Sequence, residues 1–180
     1  SIMASIIKAN ELQDFNGNAI ITSDGAGTIT LSSGMITAVG NNTPAFLATP
    51  SSTQTIANTT FTKILFQTEV LDTNSAYDAS NSTFTIPSGE GGVYIFYTNM
   101  RMPLSDGEER LHIINVNGSN DLKSGVQFYP GANAPFYSTA TMMLNLSAGD
   151  VIYQNVYVTS SGTRTTNTDY TYFGAYKLNT

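Results

Sequence analysis

Residues 77–97 read YDASNSTFTIPSGEGGVYIFY and leave the backbone little choice. Residues 83–86 and 93–97 alternate with the period of two that belongs to strands. Pro87, Ser88, Gly89, Gly91 and Gly92 break the pattern between them. The second of these strands carries apolar or aromatic residues on both faces, Val93, Ile95 and Tyr97 on one and Tyr94 and Phe96 on the other. Such a strand is expected to be covered twice, by a facing sheet and by another subunit.

The same punctuated alternation recurs along the chain. Strands are expected over residues 44–48, 54–58, 61–71, 83–86, 92–100, 110–117, 124–129, 138–146, 150–158 and 170–178. Ten short strands separated by Gly, Asn, Ser and Pro predict an all-β sandwich, and only residues 6–15 show a helical period. Residues 1–43 form a separate compositional unit, in which residues 18–23 and 27–33 read as a hairpin about the turn at 24–27. A two-stranded hairpin is marginal in water, so this segment is expected to order against its own copies or a docking partner. The expected division is therefore an attachment and oligomerisation segment, 1–43, and a head, 44–180.

Several pieces of the head arrive in the order of a known signature. Tyr77-Asp78, Phe84-Thr85-Ile86-Pro87 and Gly92-Val93-Tyr94-Ile95-Phe96 resemble the centre of the C1q/TNF-like globular head. Residues 44–48 and 61–66 resemble its first strands, residues 143–153 its Leu-x-Leu, Gly-Asp pair, and residues 172–178 its closing Phe-x-Gly-x-aromatic-x-Leu strand. The resemblance spans about three quarters of the chain, and it implies a two-sheet, ten-stranded jelly roll and a homotrimer. Residues 6–25 are similar to the start of marine bacteriophage and cyanophage structural proteins, through residues 6–14, Gly17, Asn18, Ser23, Asp24 and Gly25. That likeness implies a virion location, with residues 1–43 holding other virion proteins.

Tyrosine and phenylalanine cluster late in the chain, more than one sandwich core hides. Exposed aromatic patches mark interfaces, and Phe96, Tyr153, Tyr157, Tyr172 and Tyr176 are the expected trimer contacts. The net charge is −6 and the seven basic residues are scattered, so no patch is available to release counterions from phosphate, and nucleic-acid binding is not expected. Apolar runs are too short to span a bilayer as a helix, and residues 3–8 lack the pattern of a secretory leader. Charged residues make up 11% of the chain against ~25% in ordinary soluble proteins, with Ser, Thr and Asn in their place. Such a surface suits an extracellular or virion-exposed protein.

Catalytic chemistry finds few candidates. With one histidine and no cysteine, a Cys-His pair is impossible, and nothing frames a Ser-His-Asp set. His112 reads as a packed strand residue, so the chain is expected to be no enzyme. Asp106, Glu108 and Glu109 crowd one loop, where the resemblance admits calcium near a trimer apex and a solvated loop paired with Arg110 is the plainer alternative. The expected function is attachment to a host-cell surface receptor or glycan. Tyr77, Asp106, Glu108, Glu109, Tyr129, Phe136 and Tyr137 are its candidate ligand-binding residues, rings stacking on sugars while carboxylates bond hydroxyls. A capsid decoration or fibre-assembly protein and a glycan depolymerase are the alternatives.

Overall fold

Each face of the head is laid down by strand parity, and the computed structural model shows how. It describes residues 10–26, 28–32, 42–103, 107–120, 125–128 and 137–178. Contacts divide the chain into two units, Ser1–Asn41 and Asn42–Thr180.

The first unit is a three-stranded antiparallel sheet of β1 (Glu11–Gln13), β2 (Ala19–Ser23) and β3 (Ile29–Leu31). Residues 11–13 are strand where a helical period was expected, because Leu12 pairs with Ile21 and Ile21 with Leu31 in one apolar row. Side-chain carboxylates make both turns. Asp14 accepts the amides of Asn16 and Asn18 at 2.8 and 2.9 Å, and Asp24 those of Ala26 and Thr28 at 2.7 and 3.0 Å. The Asn18 side-chain amide, which donates to Asp14 at 2.9 Å, and these backbone bonds hold both carboxyls below the usual range.

The second unit begins with β4 (Ala45–Thr49), β5 (Thr55–Ile56), β6 (Thr62–Lys63), β7 (Thr68–Asp72), β8 (Tyr77–Asp78) and β9 (Thr83–Thr85). It continues with β10 (Gly92–Arg101), β11 (Glu109–Val116), β12 (Ser119–Asn120) and β13 (Val126–Phe128). The last strands are β14 (Tyr137–Leu146), β15 (Val151–Thr159), β16 (Arg164–Thr165) and β17 (Tyr172–Lys177). One sheet has the order β14-β10-β17-β4-β7. The other runs β12-β11-β15-β9-β8, with β13 also on β11 and β6 also on β15, and β16 pairs with β5. These crossovers between two antiparallel sheets make the expected jelly-roll sandwich. Residues 61–71 are not one strand: β6 joins one sheet and β7 the other, while Ile64 and Phe66 between them are buried in the core.

Alternate residues fill the interior. Tyr94, Phe96 and Met100 of β10 meet Phe46 and Ala48 of β4, Phe84 of β9, Ile152 and Val156 of β15 and Phe173 of β17. Phe46 stacks on Phe84 and Tyr77 at 4.6 and 4.7 Å, and Phe96 on Phe173 at 5.9 Å. Each ring removes ~150–250 Å² from water, the main driving force for closing the sandwich.

Candidate functional site

The outward face of the five-stranded sheet is apolar across its middle. Its rows follow from the register: Ile95 opposes Met143 and Tyr176, and Tyr97 opposes Thr141 and Gly174, with Leu47 and Leu71 continuing that row. Gly174 gives the face its shape. A methyl group there would lie 2.5 Å from Cζ of Tyr97, so the tyrosine ring lies directly on bare backbone. Tyr172 and Tyr176 flank it, with ring centroids 6.3 and 6.5 Å away. Burial, together with the neighbouring phenols of Tyr172 and Tyr176, raises the Tyr97 pKa. Leu71 and Met143 remain 48% and 63% exposed on this face.

The expected trimer contacts separate into three groups. Tyr172 and Tyr176 lie on this face. Phe96 points the opposite way and is fully buried against Phe173, so it has nothing to offer a second subunit. Tyr153 and Tyr157 lie half-buried on the outward face of the other sheet, where side chains of their own chain pack on them: Lys63 sits 4.5 Å over the Tyr153 ring and Phe61 packs 5.0 Å from Tyr157. Tyr97, Ile95, Leu47 and Leu71 share the face of Tyr172 and Tyr176 and were not among the expected residues. The available signal was the parity of β10 together with a glycine between two aromatic residues in β17.

The expected ligand residues also separate. Tyr77 is a core residue whose hydroxyl donates to the Phe66 carbonyl at 2.8 Å, and burial pushes its pKa upward. Glu108 is buried beneath Arg164, which donates to both carboxylate oxygens, while the Ser161 amide bonds one of them at 3.1 Å. Arg110, the expected partner of the acidic loop, is buried instead among the carbonyls of Met100 and Met102 and the Ser138 hydroxyl. An oxygen set for calcium therefore loses Glu108, and no metal-holding group of three or more His, Asp or Glu occurs among the described residues. Glu109 accepts a hydrogen bond from Gln127. Asp106, Tyr129 and Phe136 lie outside the described residues. Tyr137 is exposed.

Polar side chains cross the core between the sheets. Ser138 on β14 meets both Arg110 and His112 of β11; His112 meets Gln154 of β15 at 2.9 Å, and Gln154 meets Thr98 of β10 at 2.7 Å. Burial, reinforced by the Arg110 charge, drives the His112 pKa down to about 3. The ring is neutral at pH 7 and has no path to a solvent-borne substrate.

Two surface sites of the head stand out among the described residues. A cleft of about 340 Å³ is lined by Asn74, Ser75, Ala76, Tyr77, Asp78, Thr85 and Pro87. Its carboxylate is already engaged, because Asp78 accepts bonds from Ser80 and Asn81 that hold its pKa at about 2. The other site is the end of the sandwich remote from Asn42, where the sheet's outward face finishes at the pair Arg101 and Tyr137. There the rings of Tyr137 and Tyr170 meet edge to face at 5.4 Å, and the Arg101 guanidinium lies 5.8 Å from the Tyr137 centroid.

The sequence profile of the C1q domain matches residues 45–178. The chain belongs to the C1q domain family. Solved structures agree on the fold of this C1q head. The globular domain of zebrafish complement 1qA protein aligns with TM-score 0.52 at 15% identity, over 76% of this chain and 98% of that one. Murine APRIL at pH 5.0 aligns with TM-score 0.55 at 13% identity, over 74% and 98%. Eiger TNF from S. frugiperda aligns with TM-score 0.54 at 14% identity, over 75% and 90%. No curated protein sequence matches the chain.

Proposed function

We propose that the chain is a non-enzymatic, homotrimeric virion protein whose C1q head binds a receptor or glycan on a host-cell surface, while residues 1–43 hold other virion proteins. The apolar face centred on Tyr97 and Gly174 carries this reading. Two neighbouring apolar rows on the central strands of a sheet have the composition of an interface core, and a closed threefold assembly covers each copy with the next. The resemblance of residues 6–25 to phage structural proteins supports the virion location. Three equivalent sites on one particle also multiply weak contacts into firm attachment.

Light scattering on the full chain is the test. The expected mass is three times the 19.2 kDa of one chain. Gly174→Ala should fold yet shift that mass toward the single chain, since the added methyl must lift the Tyr97 ring out of the face. A 19.2 kDa particle for the unaltered chain would overturn the assembly.

A further inference from the structure

We propose that Arg101, Tyr137, Asp169 and Tyr170 form a binding site for an acidic sugar, a hexuronate unit of a glycan. The inference rests on reading the head as a glycan-binding module and assigns that role a place and a chemistry.

Tyr170 is 65% exposed, yet it is held at φ 60°, a left-handed backbone conformation that bulky residues seldom adopt. Packing does not require it, since most of the side chain faces water. The surrounding structure over-determines it instead. Asn99 donates to the Tyr170 carbonyl and is itself held by Thr139 at 2.9 Å. The Arg101 amide donates to Thr171 Oγ1 at 3.1 Å, and the Asn167 amide to the Arg101 carbonyl at 2.9 Å. The ring is thereby presented on a fixed frame beside Tyr137, which is 45% exposed. Two rings at right angles offer an apolar shelf and its wall, a match for the C–H face and edge of a pyranose.

The charge beside that shelf selects the sugar. Arg101 Nη1 reaches Asp169 only at 3.9 Å, and among the described residues its Nε makes no hydrogen bond. The Nε is buried out of a ligand's reach, so the Nη groups, which hold Asp169 only loosely, are the part of the fork left to pair with a carboxylate. Asp169 accepts from hydroxyls on the same ring. Charged residues are depleted from interface cores, so the subunit-facing surface ends where Arg101 begins and the site stays open at the rim.

The test is saturation-transfer NMR and titration calorimetry on the full chain. The probes are trisaccharides of galacturonate, mannuronate and guluronate, with maltotriose as the neutral control and triglutamate as the acidic peptide control. Binding in the ~millimolar range per site is expected for at least one uronate. Arg101→Gln should weaken it about tenfold or more, the scale of a lost charge-assisted bond. Tyr170→Gly should abolish it without lowering the melting temperature, because glycine is at ease at this φ. Silence from all three uronates, an equal response to maltotriose or triglutamate, or unchanged binding by Tyr170→Gly would each overturn the site. Light scattering on the same samples separates the two ideas: a trimer that ignores the uronates overturns this site alone, and a monomer that binds them overturns the assembly alone.

Discussion

The two outward faces of the head carry similar numbers of tyrosines and use them differently. On the seven-stranded sheet, Tyr153 and Tyr157 lie under Lys63 and Phe61 of the same chain. On the five-stranded sheet, Tyr97, Tyr172 and Tyr176 pack on one another and on the bare backbone at Gly174, with Leu71 and Met143 exposed around them. Aromatic content therefore does not mark an interface. The proposed interface is distinguished by apolar neighbours left exposed beside the rings, Leu71 and Met143.

Adjacent residues of β10 put this contrast to its hardest test. Phe96→Ala, on the inner face, should cost about 3–5 kcal/mol of folding stability in urea denaturation at any protein concentration. Tyr97→Ala, one residue along, should leave most of that stability in place and weaken subunit association by about 2–4 kcal/mol, seen as concentration-dependent mass in sedimentation. If both variants behaved alike, the assignment of the two faces would fail.

Acid should act on the polar chain that ties the sheets together. His112 has a folded pKa of about 3, well below its ordinary 6.5, so the unfolded chain binds the proton more readily. The neutral ring's contribution is complete above pH 6.5 and is lost as pH falls from there toward 3. Lowering pH from 7 to 5 should remove about 2 kcal/mol through this group. His112→Gln should show a correspondingly flatter profile over that window, measured as the difference between its denaturation midpoints and those of the unaltered chain. On the covered face, Tyr157→Ala should cost only about 1 kcal/mol, the scale of one aromatic pair, and leave the assembly mass unchanged.

Most strands and the sandwich were legible because Gly, Pro and Asn punctuate the alternation throughout. Parity was harder. In β10 both residue sets are apolar, so no polar member shows which side is wet, and shifting the reading by one residue exchanges Phe96 for Tyr97. Residues 61–71 alternate without a break and so read as one strand, although the chain changes sheets within them. Glu108 looked solvated because its partner Arg164 is 56 positions away, a distance no local pattern spans. At the rim Tyr137 was expected as a ligand residue, but Tyr170 beside it had no sequence signal: a left-handed tyrosine is invisible until the backbone is built.

The seat of Tyr97 on Gly174 joins two positions far apart in sequence into one inherited trait. A side chain gained at 174 must lift the ring, and in the proposed trimer the misfit would be displayed on the surface that copies share. Drift at either position would then be screened twice, once within the chain and again by its neighbours. Where several variants are made together, those with a matched pair would assemble preferentially with one another, giving a sorted population of trimers.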